Sequence, residues 1–245
     1  MTTTPEKLKH DAIVEALLEV QFEHTSLAEV IVGRLAAASP WANYSAQRLP
    51  LAELPATIRE SDPGMRYQPT MQLNRPEPGE IVRIGANVIS LHSVKPYPGW
   101  PSFSERLRQM VEAAFEVAGG PNIRRLGLRY INALTPLHQF KSLWDLEFDF
   151  TVKGVRPADE LHAQYNFRPA DDINVKVTLA SPSYVVGNFP GDASAFVDVD
   201  VSTPEGLGPT TPDNVLDWIE RAHEEEKRAF FSLWPEHALN ALRES

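Results

Sequence analysis

The segment Val88–Leu134, VISLHSVKPYPGWPSFSERLRQMVEAAFEVAGGPNIRRLGLRYINAL, decides the fold class. Ile89 and Leu91 alternate with Ser90 and His92, the pattern of a half-buried strand. Lys95–Pro101 follows, with three prolines and one glycine, and can continue neither a ladder nor a helix. Ser102 with Glu105 three residues on forms a capping-box pattern. Phe103, Leu107, Met110, Val111, Ala114 and Phe115 then fall on one helical stripe, and Gly119-Gly120 stops the helix. Leu126–Leu134 reads as a strand. The unit is therefore strand, rigid turn, amphipathic helix, strand.

Outward from it, Ala12–Phe22 alternates strictly. Val14, Ala16, Leu18, Val20 and Phe22 lie on one side and Glu15, Glu19 and Gln21 on the other, with Leu17 the exception. Such length predicts a central strand of an antiparallel sheet. Residues 1–10 are polar and expected to fray. Ser26 with Glu29 predicts a second capping box and a short helix to about Ser39, then an irregular stretch from Trp41 to Pro63. Further strands are expected over Met65–Leu73, Ile81–Ile84, Asp145–Val152, His162–Phe167, Ile173–Leu179, Ser183–Phe189 and Ala195–Ser202. Thr211, followed by Pro212 and Asp213, predicts the start of a long helix reaching Trp234, and Glu236–Arg243 a short closing one. Gln72-Leu73-Asn74-Arg75-Pro76 with Ile81–Ile84 is echoed by Gln164-Tyr165-Asn166-Phe167-Arg168-Pro169 with Ile173–Val177, a hint of two similar halves meeting near residue 120.

Composition bounds the function. The chain has 245 residues, 42% hydrophobic and 23% charged, which suits an ordinary globule with a sizeable core. Cysteine is absent, which removes disulfides and thiolate chemistry. The polar N-terminus and the lack of any long apolar run lead us to expect a cytoplasmic protein with no membrane association. A net charge of −10 argues against a nucleic-acid partner, which would ask for a basic footprint. Phosphate-binding glycine motifs, a GxSxG elbow and HExxH are missing, so the common catalytic folds gain no support, and no cofactor is expected.

Three stretches carry a resemblance. Ala12–Phe22, Tyr97-Pro98-Gly99-Trp100 and Arg125–Asn132 together resemble a sporadically distributed prokaryotic family of unknown function, whose proteins are of about this chain's length. Ala222-His223-Glu224 with Ala229-Phe230-Phe231-Ser232 is similar to that family's closing helix. The resemblance implies a prokaryotic origin and a shared fold. It transfers no reaction and no site residue. Its patchy distribution is that of mobile defence or toxin–antitoxin cargo.

Candidate site residues follow from chemistry. Asp198 and Asp200 share one strand face; two carboxylates could hold a hard cation, but no third ligand stands near, and a solvated face is the simpler reading. His223-Glu224-Glu225-Glu226 reads as a solvated helix face. The strongest constellation is Arg129, Tyr130 and Asn132 in one long strand with Glu15 and Glu19 in the other. If these strands are neighbours, Arg129 pairs with a glutamate, either to fix register or as part of a concave sheet that receives a small anionic or peptide ligand. Tyr97 and Trp100 are an aromatic rim to such a site or plugs of the core.

The sequence thus predicts an α+β protein with a large, mostly antiparallel sheet, built as two halves, 1–120 and 121–245, packed as one globular unit. Helices 103–118 and 212–234 are expected to cover one side, a helix-grip ligand-binding fold being the alternative. The expected function is that of a non-enzymatic interaction or regulatory protein, an accessory, immunity or antitoxin-like factor of a defence-type system, with a protein partner or self-association. The alternative is a small-ligand sensor or enzyme with an anion site around Arg129, Tyr130 and Asn132. No metal site is expected.

Overall fold

The computed structural model describes residues 9–77, 79–157, 160–187 and 189–242. In chain order it contains β1 (Ile13–Glu23), α1 (Ala28–Ala36), β2 (Ser45–Arg48), α2 (Ala56–Ser61), α3 (Pro63–Arg66), β3 (Met71–Asn74), β4 (Glu80–Ile84), β5 (Val88–Val94) and α4 (Trp100–Ala118). The order continues with β6 (Asn122–Leu134), β7 (His162–Ala170), β8 (Ile173–Ala180), β9 (Ala195–Ser202), α5 (Pro212–Phe231) and α6 (Glu236–Leu242). The strands form one large antiparallel sheet in the order β2-β3-β4-β5-β1-β6-β9-β8-β7, so the protein is of the α+β class. Of the expected frayed stretch 1–10, all but residues 9 and 10 lies outside the described residues.

β1 lies fifth of the nine strands, as its length predicts. Ala16, Leu18, Val20 and Phe22 are buried, while Glu15, Leu17, Glu19 and Gln21 line the other, half-buried face. The period of two thus does what the sequence demands of it: each step of one residue moves a side chain through the sheet.

The strand order has an internal regularity. Setting β1 against β6, β3 against β7, β4 against β8 and β5 against β9, the order β3-β4-β5-β1-β6-β9-β8-β7 reads the same from either end, and β5 and β9 are each followed by a long helix. The echo between Gln72–Ile84 and Gln164–Val177 falls on matching hairpins, β3–β4 and β7–β8. β2, the ninth strand, has no counterpart beside β7 among the described residues. Contacts divide the chain into two compact units, and these do not follow the 120/121 boundary. One takes in, of the described residues, 9–15, Arg129–Val201 and 222–242, and is called the β7 unit below. The other comprises Ala16–Leu128 and Ser202–Arg221 and is called the β3 unit.

Several local expectations are corrected. α4 begins at Trp100, not after Ser102: Gly99 caps it at φ 87°, a conformation glycine alone adopts readily, and Pro101 sits in the first turn without needing a donor. Gly119 ends it in the left-handed conformation, as expected. Leu27, not Ser26, is the N-cap of α1, and no side chain caps it. Thr211 does cap α5, accepting from the Asn214 N–H at 3.3 Å, but the helix stops at Phe231 rather than Trp234. Asp145–Val152 is not a strand. Ser142 and Asp145 cap one another's turn, and the alternation serves to bury Leu146 and stack Phe148 on Trp144 without a ladder. The described part of Ser183–Phe189 likewise holds a short turn, Pro182–Tyr184, in place of a strand. β2 and α2 arise in the stretch read as irregular.

Candidate functional site

Within the β7 unit, Arg129 on β6 makes a bidentate pair with Asp198 on β9, its Nε and Nη2 donating to the two carboxylate oxygens at 2.8 and 2.5 Å. The hydrogen bonds to Asp198 hold the guanidinium pKa above its ordinary value against the opposing effect of burial, helped by the charges of Asp198, Asp200 and Glu15. Lys176 on β8 reaches Asp200 at 3.0 Å. Glu15, Arg129, Asp198, Asp200 and Lys176 thus form a band of alternating sign across four strands. Two expectations change. The partner of Arg129 is Asp198, not a glutamate of β1, because β9 flanks β6 on the other side and offers the shorter acid. The two aspartates are mostly buried, and each is committed to a half-exposed cation.

Tyr130 and Asn132 do not share a surface with Arg129. Adjacent strand residues point to opposite faces, and both are fully buried on the side that meets α5. The Tyr130 hydroxyl stands 3.5 Å from His223 Nδ1, and Asn132 donates to the Val197 carbonyl at 3.3 Å. His223 and Glu226 are buried, at 8% and 4% exposure, which overturns the solvated reading for these two, while Glu224 between them is exposed as expected. Burial pulls the imidazole pKa down to about 3, with the Lys227 charge acting the same way. Burial pushes the Glu226 carboxyl up to about 8, with Lys227 opposing. Both are neutral at pH 7. A signal for Glu226 is present in the sequence: the apolar stripe Val215, Trp218, Ile219, Ala222, Ala229, Phe230 runs straight through position 226.

The remaining candidates lie in the β3 unit. Glu19 pairs with Arg125 at 3.5 Å, across β1 and β6. Tyr97 and Trp100 both pack edge-on against Phe103, with ring centroids at 5.7 and 6.3 Å, and the Trp100 indole donates to Glu220 at 3.1 Å. They are half-buried, fixing the turn onto α4. Sequence reasoning misses a larger polar group in this unit. Arg106 on α4 donates to both oxygens of the buried Glu80 at 2.9 and 2.6 Å, and Tyr44 donates to the same carboxylate at 2.6 Å. Burial opposes the charge on Glu80, yet the donors Arg106 and Tyr44 win and hold its pKa below the usual range. Burial, together with the bond to Glu80, pushes Tyr44 up to about 12. The residues lie far apart in sequence, and nothing local marks them.

The exposed feature is the end of the sheet. β7 pairs with β8 through His162↔Ala180, Tyr165↔Val177 and Phe167↔Val175, and among the described residues no strand pairs with its other edge. Tyr165 and Phe167 stack at 6.2 Å between centroids yet stay 41% and 40% exposed. Tyr184, Val186, Val152 and Val155, in the same unit, are also exposed. Edge strands are ordinarily blunted by charge, proline or brevity. β2, at the opposite end, is blunted: it has four residues and carries Arg48, paired with Glu53 at 3.7 Å. His162–Phe167 has neither charge nor proline; Arg168, Pro169 and a register shift come only after it.

Among the described residues, no three of His, Asp or Glu stand together as a metal would require, and no helix is long and apolar enough to cross a membrane. No protein-family model matches the chain, and no curated protein matches it either.

Proposed function

We propose that this chain is a non-enzymatic interaction protein that docks through the open edge of β7. The observation that carries this reading is the uncharged, proline-free run His162–Phe167 on an edge that no strand among the described residues pairs, with two exposed aromatic rings on it. Such an edge supplies main-chain donors and acceptors for affinity and side chains for specificity. The polar sheet face of the β7 unit supports an anion-binding role poorly, since the fork of Arg129 is already filled by Asp198 and a ligand would have to displace it. Placement in a defence-type system, as an accessory, immunity or antitoxin-like factor, belongs to the same proposal and rests on the sequence resemblance alone. Native mass spectrometry of the protein taken gently from its host tests the reading. A stoichiometric second polypeptide, either another protein or a second copy, is expected, and it should be lost in Tyr165→Asp/Phe167→Asp. A small bound mass unaffected by that variant, with no second polypeptide, would instead favour a ligand-binding protein.

A further inference from the structure

We infer that the β7 edge is a homodimer seam, in which β7 of two copies pair antiparallel about a twofold axis at Gln164. The inference rests on the interaction reading above and adds its partner. Three observations lead to it. First, the regularity of the sheet shows what such an edge accepts. β3, the counterpart of β7, carries an antiparallel strand on its outer edge, with Ser45↔Asn74 and Arg48↔Met71 as the register limits. The echo of Gln72-Leu73-Asn74 with Gln164-Tyr165-Asn166 puts the equivalent place at about residues 163–166 of β7, where the edge is open.

Second, charge selects the occupant and the register. The uncharged run is bounded by Glu160 at its start and Arg168 at its end, both exposed. An edge segment that is acidic just before its first strand residue, His162, and basic at Arg168, where the register with β8 shifts, complements itself when turned antiparallel. Only the register that centres on Gln164 sets Glu160 of each copy opposite Arg168 of the other. Third, the same register fits size. Tyr165 falls opposite Ala163, and Phe167 opposite Leu161, so each aromatic ring lies over a smaller side chain of the other copy, on the face where Val175 and Val177 already lie buried beneath it. Gln164 meets Gln164, and His162 meets Asn166, on the polar face. Cross-strand pairs of this kind are what stabilises a sheet. A twofold contact of one patch with itself is the commonest way a chain forms a closed assembly.

The chain has no cysteine, so a single introduced thiol reports the register without background. Directly opposed residues of an antiparallel pair have Cα atoms about 4.5–5.5 Å apart, within the roughly 4.4–6.8 Å that a disulfide spans. Full-length Gln164→Cys is expected to convert to a disulfide dimer under mild oxidation at micromolar concentration, and Arg48→Cys, on the other edge strand, is not. Light scattering should give twice the chain mass of 27.4 kDa for the wild type. Arg168→Glu should weaken the dimer on the order of tenfold, since it turns two attractive pairs into two repulsive ones. Adding Glu160→Arg should restore it. Circular dichroism of each variant confirms that the fold is kept. Crosslinking of the Gln164→Cys protein no faster than that of the Arg48→Cys protein, or no recovery in the charge swap, overturns the seam. If the wild type is monomeric but Tyr165→Asp/Phe167→Asp still loses a host partner, the seam is wrong and the interaction reading stands. If no β7 variant changes any association, both fail.

Discussion

Replacing Glu226 with glutamine should make the protein more stable, and more so the higher the pH. In the unfolded chain the carboxyl ionises near 4.5; in the folded protein burial delays this to about 8. Between these values the folded state holds a proton that the unfolded state has released, so stability falls as pH rises. Each pKa unit is about 1.4 kcal/mol. The loss is therefore about 3 kcal/mol at pH 7 and levels off near 5 kcal/mol above pH 8. Against a total stability on the order of 5–15 kcal/mol, that is a large share. His223 acts in mirror image. Its imidazole would protonate near 6.5 when unfolded and resists until about 3 when folded, so stability falls as pH drops below 6.5, by about 2 kcal/mol at pH 5. The two effects offset between pH 4.5 and 6.5, leaving a flat maximum with a fall on either side. Urea unfolding of wild type and Glu226→Gln at pH 4.5, 7 and 9 measures it. The gap between the two proteins should grow from nearly zero to about 3 and then about 5 kcal/mol. Parallel curves at all three pH values would show that the Glu226 carboxyl is not held neutral by burial.

Other expectations follow from the same geometry. Glu80→Ala should cost about 2–3 kcal/mol, because it takes the carboxylate from the half-buried Arg106 guanidinium, which keeps only its bonds to Gln109, the Pro40 carbonyl and Tyr44, whereas Tyr44→Phe should cost only about 1 kcal/mol; chemical denaturation separates them. The carboxylate's share of this stability is full above pH 4.5 and is lost as pH falls through its lowered folded value, an acid limb that Glu80→Gln removes. A double-mutant cycle on the half-exposed pair Arg129 and Asp198 should give a coupling of about 1 kcal/mol and leave the far-ultraviolet spectrum unchanged, as expected of a pair that fixes register at the surface. Gly208→Ala should destabilise by about 2–3 kcal/mol, since its Cβ would clash with the Ile123 carbonyl oxygen; a melting curve checks this.

The elements readable in the sequence are those in which one rule governs a long run. β1 alternates over eleven residues, and α4 and α5 each carry an apolar stripe bounded by a proline at the start or a glycine at the end. Shorter signals mislead. In Asp145–Val152 the alternation does not record one-sided burial: Leu146 is buried and Phe148 stacks on Trp144, while Phe150 and Val152 are exposed. The Ser-x-x-Glu pattern at Ser102 loses to Gly99 and Pro101, which set the backbone for the helix two residues earlier. β2 has no apolar residue pattern at all and exists only because β3 pairs with it. Of the candidate site residues, Arg129 is legible as an ion-paired strand residue, but its acid comes from β9, a strand whose neighbourhood the sequence leaves open. Tyr130 beside it shows the limit of naming neighbours in sequence as partners in a site: one residue along a strand is the other side of the sheet. His223 and Glu226 are hidden by their charge, although their spacing places them on the buried stripe.

Amide hydrogen exchange across a concentration series addresses the role of β7 most directly. In an isolated copy, the N–H groups of His162, Gln164 and Asn166 face away from β8 and should exchange fast, while those of Ala163, Tyr165 and Phe167, which face β8, are protected. If β7 is the association edge, the amides of residues 162, 164 and 166 should become protected as concentration rises, in step with the shift to twice the chain mass, and no other segment should change as much. Association that leaves these amides fast, or protection that appears elsewhere, would contradict a docking edge on β7.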